Sequence, residues 1–461
     1  MSLPIPPDPS PQTTPARDGA PDAGPSVAQG AAPRSAQGAA SPADDRMTPA
    51  QTRQLLVYLA AAHMAAGAGA HEAEEDVVRA ARAIGLPGVQ MQANPNGVTL
   101  GLGHGEPATF ESVEGSLRLD QTARVAAIQH GLEMGSLTPA DALATLRGLR
   151  RQRARFPVVG MYLGGLVVAA GIAGILQPTW SSVLFAALAS PVTVALIRLT
   201  GRRLVPAALL PLFAGFIVAA AAFAAFDAGL VASPLRTMLP PVAVLLPGAL
   251  IVTGLSELVA GAMVSGAARL AHGTAQLVMF AAGVAGASLL THAPSSAFVN
   301  TRVDELGPLA GFIGLGAVTI GICLMESVPR RLAPWVLAVT TLTYATQWSI
   351  QNWLAYPAWA GACAGAFIAA FSAWVMALAR PTLPRMVLFL PSFWLLVPGS
   401  LGLVSVTQLA IDPHESWKTA TNASGAIVGI ALGLVFGTSA ARGLRVTIRR
   451  TRRRRRPNPP A

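Results

Sequence analysis

Apolar residues dominate the chain from Phe156 onward, where they form ten runs separated by short polar links. A helix needs about 20 consecutive apolar residues to cross the hydrocarbon core of a bilayer. The runs have this length, so the pattern predicts ten membrane-spanning helices. They lie near residues 157–176, 179–197, 204–226, 237–256, 272–291, 308–325, 333–350, 358–379, 386–404 and 422–441.

The residues before this apolar region follow two other patterns. Residues 1–47 are rich in Pro, Ala, Ser, Gly and Asp and lack aliphatic periodicity, so we expect a disordered tail. Residues 48–150 begin with Thr-Pro-Ala-Gln, which is typical of a helix start. They also contain VQMQANPNGVTLGL, whose alternation around a turn is typical of a β-hairpin. These residues therefore predict a small α+β domain.

The predicted membrane region divides into two halves of five helices, residues 156–291 and 308–441, and a basic tail follows at 442–461. If every run crosses, the arginines of the links all fall on one side, and positively charged loops mark the cytoplasmic side. The sequence thus predicts an α-helical integral protein of the inner (plasma) membrane, with both termini and the α+β domain in the cytoplasm. The arginines that set this orientation are Arg150, Arg151, Arg153, Arg155, Arg202, Arg203, Arg269, Arg330, Arg331, Arg380 and Arg385.

The composition agrees with a membrane protein and argues against other classes. Hydrophobic residues make up 52% of the 461 residues and charged residues 12%, whereas about 25% of the residues of a soluble domain are charged. The net charge of +11 would suit nucleic acid, but the arginines lie between apolar runs and in the tail RRTRRRRRP. There, anionic lipid is the expected partner. Cys323 and Cys363 both lie in apolar runs, so no disulfide, metal site or cofactor is predicted.

A helix-breaking pattern occurs twice in the predicted membrane region. LPPVAVLLPGAL at 239–250 and LPSFWLLVPGSL at 390–401 both start with Leu-Pro and both end with Pro-Gly-x-Leu. They fall in the fourth and ninth runs, which would cross the membrane in opposite directions. Secondary transporters built from inverted repeats show such paired interruptions. We therefore predict two inverted five-helix repeats.

The paired breaks also predict a binding site. Proline lacks a backbone donor and glycine loosens a helix, and lipid cannot satisfy the carbonyls that are freed. Such breaks persist only where protein or a water-filled cavity surrounds them. We predict a transport site near the membrane midplane; the alternative is that the prolines only kink two helices for packing. The predicted substrate-binding residues at the breaks are Pro247, Gly248, Pro398, Gly399 and Ser400.

Three polar residues follow the first break. Thr253 and Glu257 are four residues apart and share a helix face, and Ser256 precedes Glu257. Ionisable groups in a membrane usually face a cavity and act functionally, so we predict that Glu257 binds a substrate amine or carries a proton. The alternative is a solvated, inert glutamate at the cytoplasmic end of the span. Gln408 holds the equivalent position in the second half, where it can bind substrate but cannot titrate.

The stretch LLPGALIVTGLSELVAGAMVSGAARL, residues 245–270, resembles the signature of the threonine/serine exporter family. LVYLAAAHMAAGAGAHEAEEDVVRAARAIGL and VQMQANPNGVTLGL resemble the cytoplasmic N-terminal domain of that family. RPTLPRMVLFLPSFWLLVPGSLGL, residues 380–403, resembles its second membrane half. The resemblance runs from about 50 to 441. It implies a ten-span inner-membrane carrier that exports L-threonine and L-serine, driven by the proton gradient as in an antiporter.

The resemblance also implies residue roles. Thr253 and Glu257 match the Asn-or-Thr position and the acidic position of the family signature. Many members carry a basic residue directly before the acidic one, whereas this chain has Ser256, so one fixed charge of the presumed site is missing. For a zwitterionic substrate, half-helix N-termini would hold the carboxylate and Glu257 the ammonium. Thr253 or Ser256 would bind the hydroxyl.

Two other functions stay open from the sequence. A channel or facilitator for small solutes could use the same repeat, and its flux would not need a proton gradient. A membrane-anchored hydrolase would place catalysis in residues 48–150, which contain neither H-E-x-x-H nor G-x-S-x-G. His71 and Glu75 could share a metal, but helix capping and solvation explain them more simply. We therefore predict a transporter rather than an enzyme. Carriers are often homo-oligomers, but the sequence marks no specific interface.

Overall fold

The computed structural model describes residues 47–202, 204, 206–299, 301–307, 309–380, 383–396 and 413–454. Helix α1 (Pro49–Ala65) begins where the sequence predicts, because Thr48 caps it. The Thr48 hydroxyl accepts a hydrogen bond from the backbone N–H of Gln51, and the Gln51 side chain accepts one from the backbone N–H of Thr48. This capping box satisfies two donors that the first helical turn would otherwise leave free.

A three-stranded antiparallel sheet follows α2 (Ala70–Ala83), in the order β1 (Gln90–Asn94), β2 (Gly97–Gly101) and β3 (Thr109–Ser112). The Asn94 side chain accepts hydrogen bonds from the backbone N–H groups of Asn96 and Gly97, which closes the turn between β1 and β2. This hairpin is the one that the sequence predicts. Helices α3 (Leu119–Glu133) and α4 (Pro139–Gly148) complete the N-terminal part. Its apolar core is centred on Leu55, Leu56 and Leu59 of α1.

The described chain after residue 156 is almost entirely helical. Among the described residues, six helices are long and apolar enough to cross a membrane, and a bent pair would make a seventh. Two further helices, Leu309–Met325 and Arg385–Leu396, are apolar but shorter. A multi-pass membrane protein follows from this; ten spans stay a prediction. The helices are α5 (Val158–Leu176), α6 (Trp180–Gly201), α7 (Leu210–Asp227), α8 (Pro234–Thr237), α9 (Leu239–Val242), α10 (Gly248–Val259), α11 (Met263–Leu290), α12 (Leu309–Met325), α13 (Ala333–Asn352), α14 (Ala358–Ala379), α15 (Arg385–Leu396) and α16 (Pro413–Arg454).

The bent pair is the first predicted helix break. The segment Pro234–Leu245 and the helix α10 meet at an angle of 64°, and Pro247 lies in the short connection between them. Leu246 is extended there, and α10 restarts at Gly248. The counterpart break at Pro398, Gly399 and Ser400, together with Gln408, lies outside the described residues. The inverted repeat therefore stays a prediction.

Glycines let two helices of this region approach closely. A Cβ atom added at Gly171 of α5 would lie 2.6 Å from the backbone oxygen of Gly314 of α12, and one added at Gly164 would lie 2.7 Å from that of Gly321. Small residues at helix contacts are typical of membrane proteins, because backbones can then pack against each other directly. Helices α5 and α12 thus form one tight pair within the membrane region.

Candidate functional site

Glu257, near the end of α10, is buried and held by three partners. Only 4% of it is exposed. Its Oε1 atom accepts a hydrogen bond of 2.8 Å from the backbone N–H of Ala70. Its Oε2 atom accepts one of 2.7 Å from the Ser265 hydroxyl and lies 3.2 Å from Nε of Arg269. A buried carboxylate needs such partners to offset its lost hydration. Glu257 is therefore buried rather than solvated, and its role in transport stays a prediction.

The bond from Ala70 joins the N-terminal part to the membrane region. Ala70 is the first residue of α2, and the capping position before it is Gly69, which has no side chain. The first N–H groups of a helix lack partners within the helix and carry partial positive charge. Glu257 therefore serves as the side-chain cap of α2, although it lies 187 residues away in the sequence.

A cavity of about 330 Å³ opens beside Glu257, and we call it the Glu257 cavity. Thr253, Ser256 and Glu257 all line it, as the sequence predicts that they should lie together. Gly248 instead lines a smaller, mainly apolar cavity of about 110 Å³, and Pro247 lines neither. The structure thus separates the helix break from the polar residues. Other polar residues of the Glu257 cavity are His71, Glu72, Arg385, Thr438, Ser439 and Arg442.

Two arginines of this cavity did not emerge from the sequence as site residues. Arg385, at the start of α15, has its Nη2 atom 3.2 Å from Oε2 of Glu72 and 3.7 Å from Oδ2 of Asp76. Its guanidinium also lies 4.8 Å from the centre of the Trp374 ring, within cation–π distance. Arg442 of α16 has Nη2 3.1 Å from Oε2 of Glu75. The cavity therefore carries both signs of charge.

A third arginine places a positive charge beside Glu257, although the residue directly before Glu257 is Ser256. Arg269 lies on α11 and pairs directly with Glu257. Sequence reasoning assigned Arg269 and Arg385 to membrane topology, because both lie in links between apolar runs. The acidic cluster of α2 is the sequence feature that could have indicated these roles. Acids on a partly buried helix need cations from elsewhere in the fold.

The acids of α2 hold these cations. Glu72, Glu75 and Asp76 pair with Arg385 and Arg442, and Nε2 of His71 lies 3.0 Å from Oε1 of Glu75. In the part of the chain that the structure describes, no group of three or more His, Cys, Asp or Glu side chains could hold a metal ion. The cluster therefore joins the N-terminal part to α15 and α16 through ion pairs.

A second cavity, of about 780 Å³, lies between helices α1 to α3 and the ends of α14, α15 and α16, and we call it the His63 cavity. Within the described residues, Nε2 of His63 and Oγ1 of Thr122 are buried and have no hydrogen-bond partner. Both residues line this cavity. Burial lowers the pKa of His63, so its ring is neutral at neutral pH.

Asp76 lines the same cavity in its charged form. Burial alone would raise the pKa of Asp76, but the charges of Arg385 and Arg79 outweigh burial and hold this pKa below its ordinary value. The Arg79 Nη2 atom lies 2.9 Å from Oδ1 of Asp76. Three residues, Trp374, Arg385 and Met386, line both cavities and separate them.

The family comparison supports the resemblance over the first half of the chain. A family model described as "Putative threonine/serine exporter" matches residues 54–291, which is more than half of the 461 residues. The match includes Glu257, Ser265 and Arg269, whereas the resemblance over the second membrane half stays a prediction. No curated protein and no solved structure matches the chain. By the family match, this chain belongs to the threonine/serine exporter family.

Proposed function

We propose that this protein is a secondary exporter of the small hydroxylated amino acids L-threonine and L-serine, driven by the proton gradient, with the Glu257 cavity as its binding site. One observation carries the proposal: a buried carboxylate, Glu257, shares a cavity with two arginines, Arg385 and Arg442. A zwitterion needs partners of both signs, and this cavity offers them. Its volume of about 330 Å³ falls at the small end of the range for ligand sites.

The charges suggest how the substrate would be oriented. Arginine presents a planar fork of donors that matches a carboxylate. Arg442 pairs with one acid, whereas Arg385 pairs with two and stacks on Trp374, so Arg442 is the better partner for a substrate carboxylate. Glu257 or Glu72 would hold the ammonium. The hydroxyls of Thr253 and Ser256 would bind the substrate hydroxyl. Arg442 thus takes the place of the half-helix N-terminus at Gly248 as the proposed partner of the substrate carboxylate, because Gly248 lies outside the cavity.

Proton coupling would act through Glu257. Its carboxylate holds Ala70, Ser265 and Arg269 at once, and a proton on it would remove the charge that favours all three contacts. The first turn of α2 would then be freed from α10, and the Glu257 cavity would open toward the N-terminal part. In this way, proton binding would control whether the substrate can enter the Glu257 cavity from the cytoplasm. We place both termini on that side of the membrane. The arginine-rich tail, residues 442–461, would bind anionic lipid there.

Transport by reconstituted vesicles tests the function. Vesicles preloaded with labelled L-threonine or L-serine should release either solute when a proton gradient is imposed, and an uncoupler should abolish the release. Glu257→Gln should also abolish it, because glutamine cannot titrate or pair with Arg269. Glu305→Gln, which changes an exposed acid far from the cavity, should leave it intact.

Three results would count against all or part of the proposal. Release that continues unchanged with the uncoupler would indicate a channel or facilitator instead. Release of neither solute by folded protein would rule out the family's substrates for this chain. Unaltered transport by Glu257→Gln would leave an exporter but remove Glu257 from its mechanism.

A further inference from the structure

We propose that the His63 cavity is a second binding site, which takes a small hydroxylated zwitterion before it enters the Glu257 cavity. The inference rests on the proposed function, since it names the same solute class. It assigns a role to a cavity of about 780 Å³ that lies between the N-terminal part and the helices α14 to α16 and that the Glu257 site does not use. Three observations carry it.

The first observation is the pair of unsatisfied polar atoms. Nε2 of His63 and Oγ1 of Thr122 are buried without a hydrogen-bond partner in the described part of the chain, and both residues line the cavity. Leaving a buried polar atom unpaired costs free energy, so such atoms call for a ligand or a water as partner. A neutral imidazole nitrogen either donates or accepts, and a hydroxyl does both. A hydroxylated ligand therefore fits either tautomer of His63.

The second observation is the mixture of charges around the cavity. Arg79 lies between Asp76 and Glu133, with its Nη2 atom 2.9 Å from Oδ1 of Asp76 and its Nη1 atom 3.4 Å from Oε1 of Glu133. All three line the cavity, and so does Arg445. Separated partners of both signs suit a zwitterion, which carries no net charge. Apolar side chains complete the lining, among them Val125, Leu378, Leu383 and Leu444.

The third observation is the thin partition between the two cavities. Trp374, Arg385 and Met386 line both. Arg385 reaches Glu72, which lines the Glu257 cavity, and Asp76, which lines the His63 cavity. These acids are four residues apart and share one face of α2. Three side chains thus stand between the cavities, and displacement of Arg385, the one that contacts acids of both, would open a path from one to the other.

Binding of labelled L-threonine to the full-length protein in lipid nanodiscs tests the inference. We expect two sites per chain. Thr122→Val removes the hydroxyl but keeps the side-chain shape, and it should weaken one site about threefold to tenfold, the loss of one neutral hydrogen bond. Thr193→Val is the matched control. Thr193 is also fully buried with an unpartnered Oγ1 among the described residues, but it lies on α6 and is not in the lining of either cavity.

A second measurement needs no variant. L-Valine has the shape of L-threonine without the hydroxyl, and it should bind the second site of the unaltered protein more weakly by the same factor. In vesicles, Thr122→Val should raise the KM for L-threonine efflux and leave kcat close to that of Thr193→Val.

The outcomes separate the two proposals. The second site would be overturned if the protein had a single binding site that Thr122→Val left unaffected, with the same selectivity for threonine over valine in the unaltered protein and in Thr122→Val. That result would leave the proposed exporter function intact. A protein that neither binds nor releases L-threonine or L-serine would overturn the proposed function and this inference with it. A protein with two sites, one of which tolerates Glu257→Gln but is weakened by Thr122→Val, is the expected result.

Discussion

The backbone N–H of Ala70 and the carboxylate of Glu257 are joined by a hydrogen bond of 2.8 Å, which connects the first turn of α2 to the membrane helix α10. Amides in the first turn of a helix normally lack a partner within that helix. A membrane-region glutamate satisfies this one. The stability of the connection between the two parts therefore depends on a residue that we also place at the centre of transport.

Hydrogen exchange at Ala70 tests this connection. In the unaltered protein, the Ala70 amide should exchange slowly for a first-turn amide, because Glu257 holds it in a buried contact. Glu257→Ala removes the acceptor, and peptides that cover residues 66–72 should exchange faster. Glu305→Ala should leave their exchange unchanged. Equal exchange in Glu257→Ala and the unaltered protein would mean that the bond does not hold α2 in solution.

The pairing of Glu257 with Arg269 makes a second prediction. Arg269 is mostly buried, so removing Glu257 alone leaves a buried cation without its partner. Breaking a buried pair in this way typically lowers the free energy of unfolding by about 3–5 kcal/mol. Glu257→Gln and Arg269→Gln should each lower the melting temperature, and the double variant should be more stable than the sum of the two losses predicts. Thermal unfolding of the four proteins in detergent gives the coupling; additive losses would show that the two charges act independently.

The difference between local and distant interactions explains what the sequence could predict. The capping box of Thr48 and the hairpin turn at Asn94 depend on residues within three positions of each other, so both could be predicted from the sequence. The break at Pro247 was predictable for the same reason, because proline acts on its own helix. Thr253, Ser256 and Glu257 came together in one cavity because they share one short helix.

The ion pairs of the site were not predictable in this way. Arg385 and Glu72 are 313 residues apart, and only the tertiary fold brings α2 and α15 close enough for them to pair. Arginines in the links between apolar runs are already explained by membrane topology. The pairing of Arg385 with an acid of the site was therefore not apparent from the sequence. The separation of Gly248 from the polar residues has a geometric cause: Glu257 lies nine residues further along α10, about 13 Å along the helix axis.

Close packing of α5 against α12 gives a third prediction. A Cβ atom added at Gly314 would lie 2.5 Å from the backbone oxygen of Gly171, whereas one added at Gly316 would meet no described atom within 4 Å. Both glycines lie on α12, so they form a matched pair. Gly314→Ala should destabilise the protein by about 1–3 kcal/mol through overpacking. Gly316→Ala should be neutral or slightly stabilising, because alanine favours the helix. Similar melting temperatures for the two variants would contradict the close contact.

The pH dependence of stability gives the last prediction, and it concerns Glu326. This residue follows the end of α12, and its carboxylate faces the backbone of Leu119, the first residue of α3. Burial raises the pKa of Glu326 to about 7, although the backbone of Leu119 and the charge of Arg118 oppose the rise. A carboxyl whose pKa is raised by folding binds protons more tightly in the folded state. Its contribution to stability is therefore complete below the unfolded pKa and is lost as the pH rises through about 7.

Glu326→Gln separates this contribution from the rest of the protein. Glutamine keeps the size and polarity of the side chain and carries no charge at any pH, so the variant should melt at a higher temperature than the unaltered protein at about pH 8. The difference should shrink as the pH falls toward about 5, where the carboxyl of Glu326 is protonated in the folded protein. Glu305→Gln, at an exposed acid, should run parallel to the unaltered protein over the same range. If Glu326→Gln also runs parallel, ionisation of Glu326 does not weaken the contact between α12 and α3.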